Sequence, residues 1–116
     1  MNRATLRHDP FDIVAVPFPY ADRLAEKRRP ALVISNKRLS GFGVIWVAMI
    51  TTATNSSWAC DVPIADLDRA GLPAPCVVRT AKIACIDPLR IERRAGRLDR
   101  ATIRTVQLKL KSFLDL

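Results

Sequence analysis

Apolar residues along this chain fall into short runs separated by proline, glycine or polar residues. Six of these runs are rich in β-branched residues, which is typical of strands. They cover residues 13–16, 31–34, 44–50, 61–64, 77–79 and 83–86. Pro17 and Pro19 are expected to end pairing in the first strand, because proline donates no hydrogen bond to a ladder. Residues 20–27 and 51–57 are polar and predict connecting loops.

The apolar spacing changes close to the C-terminus. There the apolar positions recur at three- or four-residue intervals, at 103, 106, 110, 113 and 114. This period predicts an amphipathic helix packed on the sheet, and Asp99 stands where an N-cap is expected. Many short strands, proline-rich turns and one closing helix predict a mainly β fold, either a small barrel or a strongly bent antiparallel sheet.

The length and the charge of the chain limit the classes of protein to which it can belong. At 116 residues the chain is expected to form one domain, with residues 1–10 as a flexible polar leader. The net charge is +8 and is evenly spread: residues 1–58 carry 8 Lys/Arg against 4 Asp/Glu, and residues 59–116 carry 11 against 7. Because no basic tail accounts for this excess, it belongs to the folded surface, where it favours a phosphate-rich partner such as nucleic acid.

Cysteine usage and hydropathy indicate a cellular compartment. The three cysteines are odd in number and form no CxxC pair, which favours a reducing environment. No apolar run approaches the roughly 18 residues of a membrane span, and the first ten residues have no signal-peptide pattern. We therefore expect a cytoplasmic protein with no membrane partner.

The residue types exclude several kinds of chemistry. The chain has one histidine, His8, so RNA cleavage by a histidine pair is impossible, and no cysteine or histidine cluster offers a zinc site. We expect no metal and no cofactor. RNA brings its own nucleophile, the 2′-hydroxyl, and a site that aligns it and stabilises the charge developing on phosphorus needs no metal. Arginine suits that task, because its planar fork binds two phosphate oxygens and stays charged.

Residues 11–35, FDIVAVPFPYADRLAEKRRPALVIS, resemble the N-terminal block of the MazF/PemK-type toxins of bacterial toxin–antitoxin systems. The ordered match continues through Met-Ile-Thr-Thr at 49–52, Asp-Val-Pro-Ile at 61–64 and Val-Val-Arg at 77–79. This resemblance implies an SH3-like small barrel of the MazF/PemK/CcdB kind with a C-terminal helix. It also implies a homodimer that cleaves single-stranded RNA without metal and that a cognate antitoxin inhibits.

The resemblance also implies a set of site residues. By position in its motifs, the catalytic residues are Arg29, Thr51 and Arg79. Arg29 and Arg79 are expected to hold the scissile phosphate, and Thr51 to hydrogen-bond a phosphate oxygen or the 2′-hydroxyl. Further RNA contacts are expected from Lys27, Arg28, Thr52 and Lys82. The sequence departs from the family where some members have a base: Ala81 replaces an aspartate, and residues 20–28 contain no histidine. Asp22 is the candidate general base.

Alternatives remain open from the residues themselves. The chain could be a non-catalytic SH3-like module that binds nucleic acid, or a CcdB-like toxin that poisons DNA gyrase through its C-terminal helix. Arg79 could be an ion-pair partner of Asp61 or Asp87. Trp58 lies in a polar loop and could stack on a base or pack inside the protein, whereas Trp46 is expected in the core.

Overall fold

The computed structural model describes residues 8–18 and 27–116, with the backbone alone at residue 27. The strands within these ranges are β1 (Asp12–Phe18), β2 (Lys27–Val33), β3 (Ile45–Thr52), β4 (Asp61–Pro63), β5 (Cys76–Ile86) and β6 (Arg93–Arg97). The helices are α1 (Lys37–Ser40), α2 (Leu67–Ala70) and α3 (Arg100–Leu114), and a 3-10 turn covers Pro88–Arg90.

The six strands form one antiparallel sheet in the order β4-β5-β3-β2-β1-β6. Among the described residues no ladder joins β4 to β6, so the sheet is bent but open. Irregular register interrupts the β1–β6 ladder after Ile13 and the β3–β5 ladder after Ala48. Such bulges bend a strand and increase its twist. The predicted mainly β fold with a C-terminal helix is confirmed.

Alternating side chains along the strands build an apolar cluster on each face of the sheet. The cluster on the α3 face contains Ile13, Leu32, Ala48, Ile50, Val62, Val78, Leu98 and Val106. The cluster on the opposite face contains Val14, Val16, Phe18, Ala31, Val33, Val47, Met49 and Ile91. The central strands are therefore buried on both faces, which explains why β3 has a nearly continuous apolar run.

Helix α3 begins as the sequence predicts. The Asp99 carboxylate accepts hydrogen bonds from the backbone N–H of Thr102 (3.0 Å) and from its hydroxyl (2.7 Å). Burial opposes ionisation of Asp99, but these hydrogen bonds outweigh burial and lower its pKa. Thr102 and Val106 are buried against the sheet. No helix in the described ranges is long and apolar enough to span a bilayer.

Two predictions about the strands were wrong. Pro17 does not end β1 but stays in register opposite Arg28. Within the described ranges the β1–β6 ladder ends at Ala15, so at Pro17 strand β1 is paired on one side only, where a missing N–H is tolerated. The expected strands at 77–79 and 83–86 are one bulged strand, β5.

Strand β6 was missed entirely, because its sequence Arg-Arg-Ala-Gly-Arg has no apolar alternation. It is an edge strand in which Arg93 and Arg94 are exposed and the other three residues are half-buried. Both Arg94 and Arg97 pair with the buried carboxylate of Asp12, at 3.1 Å each. Charged side chains are typical of edge strands, since they discourage pairing with another chain.

Candidate active site

Strand register brings the three predicted catalytic residues to one face of the sheet. Ala31 pairs with Met49, and Met49 pairs with Arg79 on its other side. Extending the β2–β3 register by two residues places Arg29 opposite Thr51. Opposed residues of antiparallel strands point to the same face, as do residues two apart in one strand. Arg29, Thr51 and Arg79 therefore share the face away from α3, at the end of β3.

Arg79 is buried in an ion pair. Its Nε and Nη2 donate to the two carboxylate oxygens of Asp61 at 3.0 Å each, and the two side chains are 9% and 8% exposed. Nη2 also donates to the backbone carbonyl of Ser56 at 2.5 Å. The hydrogen bond from Arg79 lowers the pKa of Asp61, and the Asp61 carboxylate in turn raises the pKa of Arg79. Asp61 is therefore ionised near neutral pH, with both oxygens engaged, and is a poor general base.

The position of Arg79 follows from the irregular stretch of β5. Ala48 pairs with Ile83 whereas its neighbour Met49 pairs with Arg79, so residues 80–82 are extra on the β5 side. The hydroxyl of Thr80 donates to the carbonyl of Cys60 at 2.8 Å and ties this stretch to the start of β4. The bulge thus interrupts regular β3–β5 pairing directly beside Arg79, and bulges are frequent next to functional sites.

Thr51 lies inside β3 and is buried, although its segment was predicted to be a loop. Its Oγ1 accepts a hydrogen bond from Nδ2 of Asn55 at 2.5 Å. A hydroxyl that accepts one hydrogen bond can still donate its own proton. Thr52, which ends β3, is exposed, and its hydroxyl lies 3.2 Å from that of Thr54. Asn55 was not predicted, and only its place in a polar loop after Thr51 could have indicated it.

Strand register does not bring the remaining predicted RNA contacts to this face, since Arg28 and Thr52 each adjoin a residue of the face and alternate away from it. Arg28 is exposed and forms an ion pair with Glu92, with Nε 2.6 Å from the carboxylate. Arg29 and Lys82 are partly buried. The backbone of Lys27 pairs with Phe18 at the start of β2. The candidate base Asp22 and the side chain of Lys27 lie outside the described residues.

A tryptophan covers the Arg79 pair. The guanidinium carbon of Arg79 lies 4.6 Å from the ring centroid of Trp58, within cation–π distance. The Asp61 carboxylate also accepts a hydrogen bond from the backbone N–H of Trp58 at 2.9 Å. Hydrogen bonds and the cation–π contact therefore hold Arg79, Asp61 and Trp58 together on one side of the site. The Arg79–Asp61 ion pair is one of the two that the sequence left open, whereas nothing in the sequence indicates that Trp58 covers it.

Metal-ligating side chains do not cluster anywhere in the described ranges: no group of three or more His, Cys, Asp or Glu could hold an ion there. What the described face offers is arginine charge, a threonine hydroxyl and an aromatic ring. Arginine and hydroxyl donors can bind and polarise a phosphodiester.

Comparison with known protein families shows to which family this chain belongs. A family model described as PemK-like, MazF-like toxin of type II toxin–antitoxin system matches residues 9–114. The chain belongs to this toxin family. The match covers all six strands and all of α3, so the whole sheet and the candidate site lie within it. A search of curated proteins found no significant relative.

Solved structures share the fold. MazF from Deinococcus radiodurans is 22% identical with a TM-score of 0.74, covering 94% of this chain and 97% of that one. The Mycobacterium tuberculosis toxin MazF-mt6 is 24% identical with a TM-score of 0.70, covering 90% and 97%. A mycobacterial endoribonuclease in complex with its cognate antitoxin is 18% identical with a TM-score of 0.74, covering 95% and 97%. At these identities the likeness is one of fold.

Proposed function

We propose that this protein is a toxin endoribonuclease that cleaves single-stranded RNA at the candidate active site. Its membership of the MazF-like toxin family over residues 9–114 carries the proposal. The shared face of Arg29, Thr51 and Arg79 supports it, because this face combines fixed positive charge with a hydroxyl donor at the end of β3. The net charge of +8 suits a phosphate-rich substrate.

The proposed reaction is attack of the RNA 2′-hydroxyl on the adjacent phosphorus. The 2′-oxygen to phosphorus bond forms as the phosphorus to 5′-oxygen bond breaks, leaving a 2′,3′-cyclic phosphate and a 5′-hydroxyl. The proton of the 2′-hydroxyl passes to a general base, for which Asp22 is the candidate, and solvent protonates the leaving 5′-oxygen. Arg29 and Arg79 stabilise the charge that develops on the phosphate oxygens and on the leaving oxygen.

We assign the three residues different parts in this reaction. Arg79 uses Nε and Nη2 on Asp61 and Ser56, so Nη1 is the nitrogen from which it would donate to phosphate. Asn55 orients the Thr51 hydroxyl, whose proton can then be donated to a phosphate oxygen or to the 2′-oxygen. Strand register places Arg29 opposite Thr51, and we assign it phosphate binding together with Arg79.

The test is cleavage of a long single-stranded RNA by purified protein. We expect Arg29→Ala to lose cleavage by at least about 100-fold while keeping its thermal unfolding midpoint, because the change removes charge stabilisation of the transition state. Arg38→Ala is the matched control, since Arg38 is an exposed arginine of α1 beyond the other end of β2. Equal activity of Arg29→Ala would remove Arg29 from the mechanism. RNA binding without cleavage by the wild type would favour the non-catalytic module.

We propose that the reaction needs no metal. Cleavage is expected to proceed at an unchanged rate in EDTA and to leave 2′,3′-cyclic phosphate and 5′-hydroxyl ends. Loss of activity in EDTA that Mg²⁺ restores would contradict this mechanism. Growth arrest of cells with intact RNA would instead favour a gyrase poison.

We also propose a homodimer that a cognate antitoxin protein inhibits. Family membership supports the antitoxin. An open apolar groove of about 750 Å³ between α3 and the sheet supports the dimer; Trp46, Ile83, Leu108 and Phe113 line it with more than 40% of their surface exposed. Exposed apolar patches of this kind mark protein contacts. We expect a mass of twice 12.9 kDa by light scattering, reduced by half in Leu108→Glu. A wild-type monomer would contradict the dimer.

A further inference from the structure

Trp58 is a large aromatic side chain left exposed in a polar loop. The segment between β3 and β4 covers residues 53–60, and most of its residues are exposed, polar or small. Trp58 is 42% exposed among them. Trp46 is similarly exposed, but it lies on the other face of the sheet within the apolar groove beside α3. The exposure of Trp46 is explained by that apolar surface, whereas the exposure of Trp58 is not.

Despite its exposure, the Trp58 indole is held in place. Its backbone N–H donates to Asp61 and its carbonyl accepts from the Asp61 N–H at 3.0 Å, which closes a tight turn. Its ring lies on the Arg79 guanidinium, which Asp61 itself fixes through two hydrogen bonds. A ring oriented in advance loses little conformational freedom when it binds a ligand.

The ring also lies beside the proposed catalytic face. Arg79, which it covers, pairs in register with Met49, two residues before Thr51 in β3. Asn55, from the same loop as Trp58, donates to the Thr51 hydroxyl. The Arg79 guanidinium lies over one face of the indole and Trp58 is still 42% exposed, so surface remains for a further contact. A flat apolar surface next to fixed cations is how single-stranded nucleic acids are bound.

We propose that Trp58 stacks on an unpaired base of RNA bound at the candidate active site, with Arg79 and Asp61 as positioning residues for its ring. This assignment rests on the proposed function, because it takes single-stranded RNA as the substrate. The ligand class is a nucleobase adjacent to the scissile phosphate. Stacking tolerates every base, so the contact fixes where the strand lies without selecting one sequence.

The first experiment measures binding without cleavage. RNA of randomised sequence with 2′-O-methyl groups cannot supply the nucleophile, so its affinity reports the binding site alone. We expect Trp58→Ala to weaken binding about 5- to 100-fold and Trp58→Phe to retain most of the affinity, since phenylalanine still stacks. Phe42→Ala is the matched control, because Phe42 is an exposed aromatic residue just before the opposite end of β3. Thermal unfolding confirms that each variant is folded.

The second experiment observes the ring itself. In Trp46→Phe the fluorescence comes from Trp58 alone, because the chain has two tryptophans. We expect the 2′-O-methyl RNA to quench it and inorganic polyphosphate, which has charge but no bases, to leave it unchanged.

The outcomes separate the stacking proposal from the proposed function. Wild-type cleavage of RNA together with unchanged affinity of Trp58→Ala would overturn stacking and leave the ribonuclease standing. Equal quenching by polyphosphate would also overturn it, since charge alone would then explain the signal. Loss of antitoxin binding with normal RNA affinity in Trp58→Ala would assign the ring to a protein contact instead. No RNA binding by the wild type would overturn both proposals together.

Discussion

Removing the carboxylate of Asp61 is the most informative perturbation of the fold. Asp61→Ala leaves the Arg79 guanidinium in the same enclosed place, where its partners among the described residues are the Ser56 carbonyl and the Trp58 ring. Both side chains of the pair are under 10% exposed, so water cannot replace the lost carboxylate without rearranging the loop. The loop between β3 and β4 should then loosen, because Asp61 also holds the Trp58 backbone.

The size of the effect follows from this burial. Two unit charges about 4 Å apart attract by about 4 kcal/mol at an effective dielectric constant of about 20. Desolvation offsets much of this attraction when the pair forms, but removing one partner leaves an uncompensated charge and costs about 3–5 kcal/mol. In a domain of this size such a loss lowers the unfolding midpoint by more than about 10 °C.

The assay is urea and thermal unfolding of a double-mutant cycle. The variants are Asp61→Ala, Arg79→Met and the double variant. We expect the double variant to be more stable than the sum of the single losses predicts, by about 2 kcal/mol or more, since it removes both charges together. If each single variant lost less than about 1 kcal/mol of stability, and if the two losses simply added in the double variant, the pair would not be a buried, coupled unit.

The same pair predicts how stability depends on pH. Arg79 lowers the pKa of Asp61 in the folded protein, so the folded state binds fewer protons than the unfolded state in acid. The stabilisation is therefore fully present above the unfolded value near pH 4 and is lost as the pH falls through the folded pKa. The stability difference between the wild type and Asp61→Ala should shrink below about pH 4. A constant difference down to pH 2 would contradict the assignment.

Three further predictions concern the scaffold, each measured by urea unfolding. Gly71→Ala should lower the free energy of unfolding by well over about 2 kcal/mol, because Gly71 has φ +72° and an added Cβ would lie 2.0 Å from a backbone carbonyl oxygen of β6. Gly43 has φ +81° with open space around it, so Gly43→Ala should lower that free energy by only about 1 kcal/mol. Equal losses would refute the clash. Asp99→Ala should cost about 1–2 kcal/mol by removing the α3 cap, and a loss below about 0.3 kcal/mol would contradict that role. Glu92→Gln should change stability by less than about 0.5 kcal/mol, since its partner Arg28 is largely exposed, and a larger loss would show that the pair is not screened by solvent.

Several elements could be predicted from the sequence because their signals are local. The run at 44–50 predicts β3, and the apolar spacing after Asp99 predicts α3 with its cap. The first signal is an apolar run within one segment, and the second is a helical period with a cap three residues before the N–H that it accepts. Strand β6 could not be predicted, because an edge strand built of arginines becomes a strand only when β1 offers it a partner.

The candidate site could likewise be predicted only in part from the sequence. Residue types and motif order single out Arg29, Thr51 and Arg79 from the sequence, and their roles stay predictions. Register alone decides that the three share a face, because that depends on which residue of β3 lies opposite which residue of β2 and β5.

The sequence by itself determined β3, the capped helix α3, the net positive charge and the family motifs, since each can be recognised from residue types and their local order. Tertiary structure decided the partners of the charges. Asp61 and Arg79 meet across 18 positions only because β4 pairs with β5 in one register, and Trp58 covers them only because its loop closes over that ladder. A buried charge is stable only with its partner in place, so the folding of β4 onto β5 fixes the geometry of this face.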